Sequence, residues 1–240
     1  MKNNVEILAE TADWIALSKP AGLLSIPDRE QSEPSLKDQL QEKYGKVFIV
    51  HRLDKNTSGL ILFAKNETAH KHLSQQFELR KVYKAYMGLI HGKPTAKEGT
   101  INEPIMEHPV KRGEMIIHRK GKPSQTSYEV VQQLGMFCLV KCIIHTGRTH
   151  QIRVHMKHLG HPIVCDELYG SADPLLLSAL KRKKFKQSKD EETEKPLLNR
   201  LALHAWQLSF TDLNGEKITL EAPLTKDLRA AVRQLEKWTG

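Results

Sequence analysis

Cysteine is scarce in this chain: Cys138, Cys142 and Cys165 are the three present, and no two form a CxxC pair. That pattern excludes a disulfide framework and a zinc ribbon. It fits a reducing, cytoplasmic setting. No run of about 18 apolar residues occurs, so no membrane span is expected. The first residues, MKNNVEILAETADW, lack a basic stretch leading into an apolar one, and no secretory signal is expected. Internal repeats are missing. So is the G-x-x-x-x-G-K-[ST] loop that would cradle a nucleotide phosphate.

What is present is positive charge. The 240 residues hold 37 Lys and Arg against 28 Asp and Glu, a net charge of +9. Such a surplus speaks about partners rather than fold. It favours a polyanion such as nucleic acid, although a basic protein with no such partner would look the same by composition. The length and the 39% hydrophobic content suit one globular domain over residues 1–240 with a sizeable core. A monomer is the default expectation.

Periodicity divides the chain into short elements of both kinds. Residues 5–18 read as two strands around Thr11-Ala12-Asp13. Residues 35–43 read as a helix capped by Ser35. The unbroken apolar run GLILFA is a buried strand. Residues 66–80 form a helix capped by Asn66, with Ala69, Leu73 and Phe77 on one stripe. Residues 82–92 are a strand, 92–126 a hairpin with loops, and 127–131 and 136–144 paired strands. Residues 149–160 read as a helix capped by Thr149 and stopped by Gly160. The charge-dense stretch 172–196 is a mobile insertion. Residues 203–222 form a hairpin about Asn214-Gly215, and 225–238 a last helix. Strands and helices interleave without βαβ repetition, which predicts an α+β fold with a mixed, mainly antiparallel sheet and flanking helices.

Three stretches carry chemistry. In 49-IVHRLDKNTSGLILFAK-65, His51, Arg52 and Asp54 cluster at the mouth of an apolar strand, with no second acid in the motif. The spacing Asp54-x-Asn56-x-Ser58-Gly59 imitates half a calcium loop, but Lys65 stands where the bidentate Glu belongs. An Asx-turn closed by Asp54 is the plain alternative. The stretch 145-HTGRTHQIRVHMKHLGHPIVCDELYG-170 holds five histidines, three of them at spacing three. Arg148, Arg153 and Lys157 would repel a cation there, and they suit phosphate better; no metal is expected. In 80-RKVYKAYMG-88, Tyr83 and Tyr86 point to opposite faces of a strand. One can be core while the other stacks on a base beside Arg80 and Lys81.

Taken in order, HRLDKNTSGL, RKVYKAYMGLI, GRTHQIRVHMKHLGHPI-x-x-D-x-x-YG and RLALHAWQLSF closely resemble the RluA branch of the pseudouridine synthases. KPAGLLSIP resembles that family's opening segment. The likeness covers roughly residues 5–170 and 198–235. It starts so near residue 5 that the S4 module many relatives carry first is not expected. The resemblance implies the pseudouridine synthase catalytic fold, no cofactor, and structured rRNA or tRNA as partner. It implies that Asp54 is the catalytic carboxylate and that Tyr83 lies against the target base. Arg153 is implied to pair with Asp54, and Arg52 to take the place of a flipped uridine. His51, Arg148, Arg80 and Lys81 complete the expected RNA-contacting set. Relatives commonly carry Gly where this chain has Cys165.

The implied reaction breaks the N1–C1′ bond, turns the uracil over and joins C5 to C1′. One carboxylate can act as nucleophile or base, so a single acid suffices; a hydrolytic glycosidase would want two. A non-catalytic RNA-binding protein and a base-excising glycosylase remain open as other readings.

Overall fold

The structure, a computed structural model, describes residues 5–181 and 194–239. The chain runs β1 (Glu6–Glu10), β2 (Trp14–Lys19), α1 (Leu36–Tyr44), β3 (Phe48–Ile49), β4 (Ser58–Ala64), α2 (Glu67–Glu78) and β5 (Tyr83–His91). It continues through β6 (Glu98–Asn102), β7 (Ile105–Glu107), β8 (Met115–Ile117), β9 (Gln125–Leu134), β10 (Phe137–Ile144) and α3 (Gln151–His158). It ends with α4 (Leu177–Lys181), β11 (Leu203–Thr211), β12 (Lys217–Glu221) and α5 (Lys226–Thr239). Two compact units emerge. The first comprises residues 1–86, 143–146 and 204–223; the second comprises 87–142, 147–203 and 224–240.

In the first unit the strand order is β1-β2-β4-β11, with β3 on β4 and β12 on β11. The pairings β1–β2, β2–β4, β3–β4 and β11–β12 are antiparallel, while β4–β11 is parallel. This is the mixed, mainly antiparallel sheet expected of an α+β protein. All seven residues of β4 are buried, as the unbroken apolar run requires. One core joins Trp14, Leu60, Leu62, Ala69, Leu73, Val82, Leu208 and Phe210, with Trp14 and Phe210 meeting edge to face at 5.3 Å. Burying each large apolar side chain contributes about 1.5–3 kcal/mol.

Caps set the helix ends. Ser35 and Asp38 form a reciprocal capping box on α1. The Asn66 side chain accepts from Ala69 N–H at 2.9 Å at the start of α2. At its end Arg80 takes a left-handed conformation, φ 58°, and donates its N–H to Phe77 O.

The second unit contains the order β10-β9-β6 and a separate two-stranded sheet, β7–β8. Helix α3 begins at Gln151, later than expected, and Thr149 is not its cap. His150 holds that place at φ 54° with no side-chain cap bond. Instead Gln151 Oε1 accepts from Arg148 N–H at 3.1 Å. Gly160 does stop the helix, at φ +86°. Cys165 adopts φ 56°, the conformation a glycine takes at least cost. The buried thiol lies 3.3 Å from Asp173 O and 3.6 Å from Leu198 O. Of the charged stretch 172–196, residues 182–193 lie outside the described residues. Its flanks hold α4 and a bridge between Leu175 and Leu198.

Gly59 is the position at which β4 and β11 exclude a side chain. A Cβ there would stand 2.2 Å from Ala205 O, at φ +109°. Gly59→Ala is expected to cost at least about 2 kcal/mol, read as a melting temperature lower by roughly 4–8 °C. An unchanged melting temperature would contradict the contact.

Candidate active site

The HRLD stretch enters between β3 and β4 as irregular chain, and its four side chains divide between inside and outside. His51 turns inward: its Nε2 accepts from Leu62 N–H at 3.0 Å, and its ring stacks on Phe77 at 4.7 Å. Arg52 is exposed. Leu53 is buried, and Asp54 is half-buried. A turn follows, closed by Thr57 N–H on Asp54 O at 3.1 Å. Ser58 then bonds His204 Nδ1 at 3.0 Å, and His204 Nε2 lies 3.1 Å from Ala222 O.

His51 was expected among the RNA contacts. Its ring is instead committed to the interior of the unit. Burial, reinforced by the nearby Lys84 ammonium, pushes its pKa down to about 3. The ring therefore stays neutral near pH 7, and the nitrogen that accepts from Leu62 keeps its lone pair. The geometry makes His51 a support for the irregular segment that carries Arg52 and Asp54. Lys84 is itself buried, and desolvation lowers its pKa before the Arg80 charge does. Its Nζ sits 5.8 Å from the Phe77 ring centroid.

What holds Asp54 in place is the KPAGLLS segment, whose part in the site sequence reading missed. Ser25 Oγ donates to Leu53 O at 2.8 Å and accepts from Leu53 N–H at 3.1 Å. On the other side of Asp54, Lys55 O accepts from Gly22 N–H at 2.9 Å and from the Lys19 ammonium at 3.0 Å. Lys19 is fully buried, and its Nζ also donates to Pro20 O (3.0 Å) and Leu23 O (2.7 Å). Thus the residues on either side of Asp54 are pinned by three groups from one segment. Lys55 is tied further by an ion pair to Glu33 at 2.8 Å.

The tyrosines behave differently from one another. Tyr83, the expected base-contacting ring, is half-buried at the first position of β5. Tyr86 is buried, and its phenol is pushed above its ordinary pKa range, first by burial and then by the negative charge of Asp54. Tyr86 thus belongs to the surroundings of the carboxylate, although the sequence offered it only as the other face of the strand. Arg80 and Lys81 are both exposed at the C-terminal end of α2.

In the second unit Arg153 is nearly covered. Its Nε and Nη2 donate to the two oxygens of Asp166 at 2.8 and 2.7 Å. Asp166 also accepts from Leu168 N–H (3.1 Å) and Tyr169 N–H (3.2 Å). The pair was not foreseen: the sequence reading gave Arg153 one partner, Asp54, and Asp166 takes two of its five donors. Arg148 is half-buried, with Nε and Nη2 each 3.3 Å from Pro123 O. Of the histidines at spacing three, His155 has both ring nitrogens engaged, by Thr126 Oγ1 (2.9 Å) and Glu103 O (3.0 Å).

Lys19→Met keeps the stem of the side chain but takes a donor from three carbonyls, the buried one of Leu23 among them. It is expected to cost roughly 2–3 kcal/mol in urea denaturation. Any activity that depends on Asp54 should fall further than the lost folded fraction explains. Wild-type stability in Lys19→Met would rule out the clamp.

Comparison with known proteins identifies the family. The sequence model of RNA pseudouridylate synthases matches residues 13–158. The chain is 37% identical over 212 residues to the dual-specificity RNA pseudouridine synthase RluA of Vibrio vulnificus, covering 85% of this chain and 77% of that one. It is 36% identical over 240 residues to ribosomal large subunit pseudouridine synthase D of Nitrosomonas europaea. That match covers 96% of this chain but spans only 65% of the relative's length. Among solved structures, human RNA pseudouridylate synthase domain containing 4 superposes with a TM-score of 0.75 at 25% identity, over 96% of this chain and 93% of that one. Human RNA pseudouridylate synthase domain containing 1 gives 0.72 at 27%, over 95% and 87%. Relatives that carry this name are isomerases, and by its motifs, its fold and these matches the chain belongs to the RluA-type RNA pseudouridylate synthase family.

Proposed function

We propose that the protein is an RNA pseudouridine synthase that isomerises uridine in structured rRNA or tRNA, with Asp54 as its catalytic carboxylate. The observation that carries this reading is the clamp around Asp54. A half-buried carboxylate is held by the backbone on both sides, while the adjacent Arg52 is left exposed. A group that only closed a surface turn would need no such support.

The chemistry follows from what the residues offer. The target atom lies within stacked RNA, so the uridine must leave the stack at a cost of a few kcal/mol. Arg52 can fill the gap, since its plane stacks and its donors reach base edges or phosphate. Tyr83 offers a ring for the extruded base. Asp54 then acts at the sugar or the ring. N1–C1′ breaks and C5–C1′ forms; the C5 proton leaves to solvent and N1 takes a proton up in its place, so the atoms balance without an external group. Such a carboxylate needs its charged form, which a paired guanidinium favours. The role of Arg153 toward Asp54 is carried over from the motif, and its pair with Asp166 is compatible with that role because a guanidinium has five donors. Exposed Arg80 and Lys81 supply affinity that weakens with salt and reads no sequence.

The names of the relatives suggest the RNA. One is called a ribosomal large subunit enzyme and the other dual-specificity. Transcripts of large-subunit rRNA and of tRNA, labelled with tritium at uracil C5, test both. Wild type is expected to release tritium to water from at least one transcript without freeing uracil. Asp54→Asn is expected to abolish release while leaving RNA affinity within about twofold, because the exchange removes no cationic group that could meet phosphate. Arg153→Ala should lower turnover strongly. Release of free uracil by wild type, or undiminished tritium release by Asp54→Asn, would defeat the reading.

A further inference from the structure

The second unit carries a basic arm with an unusual joint. Strands β7 and β8 form a two-stranded hairpin in the register Ile105↔Ile117, Met106↔Ile116 and Glu107↔Met115. Lys111, Arg112, Arg119, Lys120 and Lys122 are exposed along it, and Val110 at its tip is 85% exposed. The root of the arm packs through Ile105, Met115 and Ile117 against Val154 of α3 and Tyr169.

Tyr169 meets three things at once. Its hydroxyl accepts from Met115 N–H at 2.8 Å, which ties it to β8. The same oxygen lies 2.8 Å from Nδ1 of His150, at the N-cap of α3. The face of its ring lies 4.9 Å from Cζ of Arg153. Tyr169 is 3% exposed, and burial pushes its phenol up to about 12, so the hydroxyl keeps its proton. It can therefore accept from Met115 and donate to His150 together. Its own backbone N–H is bound by Asp166, the carboxylate that grips Arg153.

We infer that Tyr169 is a positioning residue of the RNA reaction: a single phenol seats the basic arm and backs the Arg153 guanidinium, so the arm's grip on RNA and the setting of Arg153 depend on one side chain. The inference rests on the function proposed above. The hydroxyl acts on the arm, through Met115. The ring acts on Arg153, through the cation held over its face. Exchange of Tyr for Phe separates the two, because it removes the hydroxyl and leaves the ring.

The test uses Tyr169→Phe, the arm variant Lys111→Ala/Arg112→Ala, their combination, and Tyr169→Leu. For each, the dissociation constant for the large-subunit rRNA transcript is measured by filter binding. Tritium release gives KM and kcat, and the melting temperature is recorded. Tyr169→Phe is expected to raise Kd and KM about fivefold, the worth of one lost hydrogen bond, with kcat changed less than about twofold. The combined variant should bind no worse than the weaker of its parents, because both changes disable the same arm. Tyr169→Leu should lower kcat as well. Effects on Kd that multiply, or a Tyr169→Phe that leaves Kd unchanged, would overturn the inference. So would a loss confined to melting temperature, which is what a purely structural tyrosine gives. Failure of wild type to release tritium would count against the proposed reaction alone, since the Kd comparison still decides the role of Tyr169. If Tyr169→Leu does not fold, Tyr169→Phe and its combination still decide it.

Discussion

A buried ammonium is the interaction on which the first unit's site rests. Lys19 ends β2 inside the protein, where an unpaired charge would be very costly. The three carbonyls it satisfies come from Pro20, Leu23 and Lys55. Two belong to the turn after β2 and one to the turn after Asp54. The need to solvate one charge thus welds two loops that are far apart in sequence. Gly22 and Ser25 complete the weld through backbone groups of Lys55 and Leu53. Asp54 occupies the residue between those anchored neighbours, so its placement follows from groups that take no part in its chemistry.

The same logic of full satisfaction governs Arg153. Asp166 accepts two guanidinium hydrogens and two backbone N–H groups, and its side chain is fully buried. Such a pair is a weak source of net stability, because desolvation offsets most of the attraction. It is a strong source of geometry, because the fork of Arg153 fits a carboxylate in one orientation. Cys165, just before Asp166, takes a left-handed conformation that costs a side-chain-bearing residue something. That strain lies in the turn that delivers the carboxylate to the guanidinium.

Local features were legible in the sequence and distant ones were not. Ser35 and Asn66 announce helix starts because a cap and its target lie three residues apart. The apolar run of β4 announces burial by itself. Helix α3 was misplaced because Thr149 had the right chemistry but not the cap; Gln151 reached back to Arg148 N–H and let the helix start later. Lys55 lies 36 residues from Lys19, and the partners of Ser25 and Arg153 lie 28 and 13 residues away; no periodicity points to them. The catalytic reading of Asp54 rests on motif resemblance, whereas the contacts that hold the carboxylate are made only in the folded chain.

The four residues of HRLD then acquire separate physical reasons. Leu53 must be apolar and buried, and its backbone must meet Ser25 on both its donor and its acceptor. His51 must be a neutral acceptor, because Leu62 N–H on β4 needs one where the short β3 has ended. A lysine or arginine there could not accept at all. With His51 and Leu53 turned in, Arg52 is left exposed and Asp54 half-buried. A guanidinium that faces solvent and a carboxylate at the boundary of the interior are what an RNA-inserting group and a group acting on an extruded base would each require. The motif is therefore two inward anchors that set two outer side chains, Arg52 and Asp54, and a change at either anchor should disturb both together.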